Sequence, residues 1–153
     1  MDIEFTTLTK KKINEKSKIQ ICKLKDSNWK YGINNQINWF NLNINHQDLH
    51  NLMIINKKIC GYTCLRKKKY KYSQNIYLLF DTFIIDKNYR NFGLGKRLME
   101  YNNKVIKENK IKSLLYCNIN LVDFYKKFGW EYFDKLDRVK NIKNKIILSY
   151  DRF

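Results

Sequence analysis

Apolar residues fall along this chain in short runs of two periods, and the changes of period mark out the elements. Residues 3–8 alternate weakly and predict a first strand. Residues 18–24 alternate through Ile19 and Ile21, with Cys22 and Leu24 following, and predict a second. Asp26-Ser27 has the chemistry of a helix cap. Trp29, Ile33, Ile37 and Phe40 then recur at helical spacing, which predicts one amphipathic helix and a candidate wall for a ligand pocket. Residues 45–49 read as a loop. Residues 51–55 and 59–65 read as a hairpin about the polar turn Asn56-Lys57-Lys58. Residues 76–85 form a long apolar run, the pattern of a buried strand. From Leu94 to about Lys107, Leu98, Tyr101, Val105 and Ile106 share one helical face. A buried strand at 113–117, a short helix at 121–128 ending on Gly129, and strands at 130–133 and 145–150 complete the order. This order predicts a mixed α/β (α+β) fold: a central, mostly antiparallel sheet flanked by helices. No repeat or Gly/Ser linker interrupts it, so residues 1–153 read as one domain.

Composition adjusts this picture little. The chain is 44% hydrophobic, with nine Phe, eleven Tyr and three Trp, too apolar and aromatic for a disordered segment. No apolar run is long enough to span a bilayer, and the first residues lack the apolar core of a signal peptide. A cytoplasmic protein with no membrane partner is the expectation. Cys22, Cys60, Cys64 and Cys117 are irregularly spaced. With only His46 and His50 beside them they draw no metal pattern, so they read as buried free thiols and no metal is expected. The net charge of +17 suggests nucleic acid. However, Ala and Pro are absent while Lys, Asn, Ile and Tyr abound, a profile of AT-rich coding. On that ground the short basic stretches at Lys10–Lys12 and 66–71 read as solvated rather than as an RNA-binding patch. The charge still attracts anionic ligands.

The chemistry concentrates after the long strand. Phe83-Ile84-Ile85 runs into Asp86-Lys87-Asn88-Tyr89-Arg90-Asn91-Phe92-Gly93-Leu94-Gly95-Lys96, and a helix follows at once. Two of the chain's five glycines stand here. They permit a tight turn and close approach of a ligand to backbone. The first amides of a helix lack partners and sit at its positive end, which suits a pyrophosphate. A Walker loop would need Ser or Thr after Gly95-Lys96, where Arg97 stands. A Rossmann fingerprint would need a third glycine, where Leu98 stands.

Arg90-x-x-Gly93-x-Gly95 between strand and helix resembles the acetyl-CoA signature of the GNAT superfamily of N-acetyltransferases. The later segment 114–130 is similar to that family's second motif, with Asn118, Tyr125 and Gly129 in the pattern N-x6-Y-x3-G. The resemblance implies a GNAT-type fold. Acetyl-CoA would lie along Phe83, Ile84 and Ile85, with its pyrophosphate on the amides of Arg90, Asn91, Phe92, Gly93, Leu94, Gly95 and Lys96, and Asn118 and Tyr125 close by. It implies Tyr125 as the group that protonates, or hydrogen-bonds, the leaving thiolate. Asp81 is the only carboxylate in the strand 76–85. It is a candidate base or ammonium binder, with a water-exposed strand residue as the plain alternative. Cys117 reads as a core thiol rather than an acyl carrier, having no nearby His in sequence.

Within the superfamily, Lys112, Cys117, Val122, Phe124, Tyr125, Lys127 and Gly129 most resemble the glucosamine-6-phosphate N-acetyltransferases, which feed UDP-N-acetylglucosamine synthesis. The chain departs from their pattern at Tyr116, at Leu121 and at Asp81-Thr82, where those enzymes carry an acid, an Asn and paired carboxylates. The resemblance implies an anionic small-molecule amine acceptor met by Asp81, Thr82, Lys112 and Lys127. The competing readings are a GNAT enzyme acting on aminoacyl-tRNA or a protein amine, and a binding module that kept the fold without catalysis. A homodimer is open, and nothing in the sequence decides it.

Overall fold

The computed structural model describes residues 2–153. Seven strands form one sheet in the order β1-β2-β3-β4-β5-β7-β6. They are β1 (Ile3–Leu8), β2 (Leu49–Ile55), β3 (Lys58–Lys69), β4 (Ile76–Ile85), β5 (Ser113–Cys117), β6 (Glu131–Tyr132) and β7 (Ile146–Tyr150). Among the described residues only the β4–β5 pair is parallel, so the sheet is mixed and mostly antiparallel, as the element order predicts. Four helices flank it: α1 (Glu15–Asn28), α2 (Ile33–Asn43), α3 (Leu94–Asn109) and α4 (Val122–Lys126).

The β2–β3 hairpin turns on Asn56 and Lys57, whose φ angles of 51° and 65° give the left-handed pair that suits the twist of a two-residue turn. On one sheet face, α1 and α2 bury Ile21, Leu24 and Phe40 against Tyr62, Cys64 and Ile84. On the other, Leu98 and Met99 of α3 pack on Met53, Leu65, Leu78 and Phe80. All four cysteines are buried and unpaired. No helix of the described residues is long and apolar enough to cross a membrane.

Three expectations need correction. Residues 18–24 are helix, not strand. Asn14 caps α1 by accepting from Ser17 N at 2.8 Å. Ile21, Cys22 and Leu24 point inward, while Ile19, half of the apparent alternation, faces solvent at 37% exposure. Two alternating residues cannot tell a strand from a helix face. Nor does one helix run through Trp29. α1 ends at Asn28, Trp29 is extended, and Gly32 turns at φ 91° into α2. Asp26 caps no helix; it accepts from Gly32 N at 2.7 Å and closes the α1–α2 loop.

His50 of β2 is wholly buried, with Nδ1 2.6 Å from the Tyr62 hydroxyl and Nε2 without a partner. Burial, aided by Lys25 and Lys10, lowers its pKa from 6.5 to about 4. Between those values the unfolded chain takes up a proton that the native chain refuses. Stability is therefore full above pH 6.5 and declines as pH falls toward 4. The shift corresponds to about 3 kcal/mol at 1.36 kcal/mol per unit. We expect urea midpoints to drop across this window and His50→Gln to flatten the drop. An equally steep decline in the variant would refute the assignment.

Candidate functional site

Past Ile85 the chain turns sharply. Asp86 accepts from Asn88 N at 2.9 Å, and Arg90 Nε donates to the Ile85 carbonyl at 3.0 Å, tying the loop back to the strand end. Asn91 and Gly93 are left-handed at φ 69° and 73°. The first hydrogen bond of α3 runs from Arg97 N to Gly93 O, so the amides of Leu94, Gly95 and Lys96 have no acceptor within the helix. A cleft of about 400 Å³ opens here, lined by Phe83 and Ile85 of β4 and by Arg90, Asn91, Gly93 and Gly95. Gly93 is required by its φ. Gly95 is not required by the fold: a Cβ there would meet only Phe83 Cζ, at an ordinary 3.7 Å. A side chain at 95 would instead intrude on the cleft. A glycine kept where the protein itself has room fits a ligand lying against that backbone.

β4 and β5 pair only at Leu78–Ser113 and Leu79–Leu114, then part. Beyond Leu79, β4 has no strand partner on that side, and its edge runs from Phe80 to the cleft. Tyr125 of α4 comes up beside this gap, edge-on to Phe80 with centroids 6.2 Å apart and edge-on to Trp130 at 6.3 Å. Trp130 N donates to the Tyr125 carbonyl at 3.3 Å. Trp130 Nε1 donates to Asn103 Oδ1 at 3.2 Å, which holds this turn on α3. Burial, and then the neighbouring Cys117, push the Tyr125 phenol up to about 12. Burial likewise raises the Cys117 thiol and keeps it protonated.

Asp81 owes its placement to a β-bulge. Leu65 pairs with Phe80 and Cys64 with Thr82, so Asp81 is the extra residue on β4. The bulge reverses the strand's parity. Thr82 and Ile84 join the α1–α2 face, and Phe83 and Ile85 join the α3 face. Asp81 and Thr82, though consecutive, both line a second cleft of about 610 Å³, walled by Lys25, Trp29, Tyr31 and Trp39 of α1, α2 and their loop. One residue further on, Phe83 lines the first cleft. The bulge thus sets two clefts back to back across one strand.

Asp81 is exposed through its backbone at this open edge, while its side chain is only 19% exposed. It accepts from Arg66 Nη1 at 3.1 Å and from the Thr82 hydroxyl at 3.0 Å. Burial raises its pKa, and Arg66 then Thr82 partly oppose the rise. Arg66 is itself held by the Asn43 carbonyl at 3.1 Å and by Asp48 at 3.8 Å, and its guanidinium lies 5.1 Å from the Trp39 ring.

The residues read from sequence separate into groups. Phe83, Ile85, Arg90, Asn91, Gly93, Leu94 and Gly95 share the first cleft, and Asp81 and Thr82 the second. Ile84 points away into the α1–α2 core, Phe92 is 65% exposed, and Lys96 pairs with Glu100. Asn118, at the end of β5, accepts from Lys145 Nζ at 3.0 Å. Lys112 does not join either cleft. It precedes β5 at the far end of the sheet and faces Asp151 at 3.5 Å. Lys127 is exposed at the end of α4 and lines neither. Sequence reasoning missed Lys25, Tyr31 and Arg66. Arg66 belongs to a stretch read as merely solvated, yet its side chain is only 11% exposed. Gly32 was the one available signal for the loop that carries Tyr31. Among the described residues no three His, Cys, Asp or Glu side chains gather as metal ligands.

Residues 48–132, more than half of the chain, match the acetyltransferase (GNAT) domain family. No curated protein sequence is similar enough to count as a relative. Among solved structures, ElaA of Escherichia coli superposes with a TM-score of 0.74 at 14% identity, over 97% of this chain and 99% of its own. An acyl-CoA N-acyltransferase from Pseudomonas aeruginosa gives 0.75 at 12% identity, over 97% and 99%. The PaiA N-acetyltransferase of Thermoplasma acidophilum, solved with coenzyme A, gives 0.61 at 18% identity, over 99% of each chain.

Proposed function

The chain belongs to the GNAT acetyltransferase family and is an N-acetyltransferase that draws on acetyl-CoA, and from that premise we propose that it acetylates a small primary amine seated over Asp81. An amino sugar phosphate such as glucosamine 6-phosphate is the first candidate. The observation that carries this reading is the β4 bulge. It sets a shielded carboxylate two residues from Phe83 of the glycine cleft, which supports an amine at Asp81 meeting a thioester at the β4–β5 gap.

The residues divide the work. The unpaired amides of Leu94, Gly95 and Lys96 suit the pyrophosphate, and Gly95 leaves room for it. Phe83 and Ile85 offer the free edge of β4 to the pantetheine arm. Acetyl-CoA supplies the acetyl group in activated form. An ammonium must lose a proton before it can attack. Asp81, raised by burial, is a better base near neutral pH than an ordinary carboxylate. Arg66 and Thr82 fix its orientation. The Tyr125 hydroxyl offers its proton toward the leaving sulfur. Trp29, Tyr31 and Trp39 wall the cleft beside Asp81. Lys112 and Lys127, which the family likeness suggests, lie outside it.

The test is thiol release from acetyl-CoA across a panel of amines: glucosamine 6-phosphate, glucosamine, short polyamines and peptides with free N-termini. Peptides belong in the panel because Naa50 of Arabidopsis thaliana, solved with a CoA-peptide bisubstrate analogue, shares the fold at a TM-score of 0.60. We expect turnover with a small amine. Turnover confined to the peptides would overturn the small-molecule reading.

A further inference from the structure

A third cleft, of about 440 Å³, lies on the other side of Asp81 from the aromatic pocket. Its floor continues the α1–α2 face of the sheet beyond the point where those helices stop: Arg66 and Lys68 on β3, Tyr77 and Leu79 on β4. Its outer wall is the segment between β6 and β7, which contributes Lys140 and Ile142. That wall is anchored. Val139 is 2% exposed in a core with Tyr77, Leu114 and Ile147. The Tyr116 hydroxyl donates to the Lys140 carbonyl, and Lys71 N donates to the Arg138 carbonyl at 2.8 Å.

The electrostatics of this cleft are one-sided. Arg66, Lys68 and Lys140 line it with a single carboxylate, Asp81, which Arg66 already pairs. Neither Lys68 nor Lys140 is in an ion pair among the described residues. Tyr116, pushed up to about 12 chiefly by burial, adds no negative charge. Two lysines left without partners beside a pinned loop make this cleft positive and attractive to an anion. From the bulge opposite Leu65 to Lys68 is three strand residues, about 10 Å. A small molecule the size of a sugar spans that distance.

We infer that the cleft of Lys68 and Lys140 is the anion subsite of the acceptor: the substrate is an amine that also carries a phosphate or carboxylate, its nitrogen at Asp81 and its anionic group between these lysines. This rests on the reading that the acceptor amine sits at Asp81. It goes further by naming the residues that hold the acceptor's anionic group and the cleft in which it lies.

Matched pairs test the subsite: glucosamine 6-phosphate against glucosamine, and 5-aminopentanoate against 5-aminopentanol. We expect wild-type kcat/KM to favour the anionic member of at least one pair by roughly 10-fold, expressed in KM, as a contact made equally before and during reaction requires. The first pair winning alone identifies phosphate, and the second alone identifies carboxylate. In Lys68→Gln/Lys140→Gln the KM advantage of the anionic member over its neutral partner should vanish. Lys16→Gln/Lys107→Gln, which removes the same charge from exposed sites on α1 and α3, should keep the preference. Circular dichroism and thermal midpoint establish that each variant is folded. Equal use of charged and neutral amines by the wild type, or a preference that survives in the Lys68/Lys140 variant, overturns the subsite and leaves acetyl transfer standing. Thiol release that no amine raises above the amine-free rate overturns the parent reading and the subsite together.

Discussion

Tyr125→Phe is expected to lower kcat by about 10²- to 10³-fold, the range found when one donor to developing charge is removed from an enclosed site, with acetyl-CoA affinity nearly unchanged. The size follows from the phenol's environment. Its pKa of about 12 lies well above that of an ordinary thiol, about 8.5. Complete proton transfer from Tyr125 to a leaving thiolate is therefore uphill. What the hydroxyl can do is donate a hydrogen bond that strengthens as negative charge gathers on sulfur. That bond is worth most in the reacting state and little in the bound ground state, so its loss belongs in kcat rather than in binding. The ring is anchored by Phe80, Phe124 and Trp130, so the variant keeps the packing and loses only the hydroxyl. The same pKa sets the sign of the pH dependence. Tyr125 stays protonated through neutral and mildly alkaline pH, so it contributes no falling limb to the rate below about pH 11. Single-turnover kinetics with calorimetric measurement of acetyl-CoA binding would check both halves. A variant with wild-type turnover would remove Tyr125 from the chemistry.

The glycine cleft was legible because it is local. A continuous apolar run, a glycine pair and a helix with one apolar face lie within residues 76–107, and the structure keeps that order as β4, turn and α3. The two clefts that share Asp81 were not, because distant segments build them. Trp29 and Trp39 come from a helical pair that the Ile19–Ile21 alternation disguised. Arg66 and Lys68 belong to a basic run whose alternate members face a cleft. Lys140 sits on a segment with no periodic pattern at all. Asp81 shows the limit most sharply. Its chemistry was visible as a lone carboxylate in an apolar strand. Its exposure to two clefts depends on a bulge, and a bulge is a relation between the registers of β3 and β4 that neither strand records alone. Lys112 and Lys127 lie outside the clefts for the complementary reason: their spacing follows the sequence pattern, but they stand on elements that face elsewhere.

Asp81→Asn is expected to lower kcat/KM at neutral pH by about 10²-fold, the lower part of the range for a positioned proton acceptor, and to change the shape of the pH profile. Burial raises the carboxyl pKa in the folded protein. At low pH the group is protonated and inert, and its base form appears only as pH rises through that raised value. The wild-type rate should climb on this limb. The variant should lose the limb and follow only the fraction of acceptor that is already neutral, so the two enzymes converge toward alkaline pH. If Asp81 instead grips the ammonium, the loss appears in KM and the kcat limb survives. An unchanged profile with unchanged constants would make Asp81 structural. Stability supplies an independent sign. A carboxyl whose folded pKa is raised adds stability below its unfolded pKa, and that contribution disappears as pH rises through the folded value. At neutral pH the ionised Asp81 therefore burdens the fold, to the extent that Arg66 at 3.1 Å and the Thr82 hydroxyl do not offset it. The neutral amide keeps the shape without the desolvated charge. Thermal midpoints at pH 7 should hold or rise in the variant while acetyl transfer falls, a pairing expected of a group retained for chemistry against the preference of the fold.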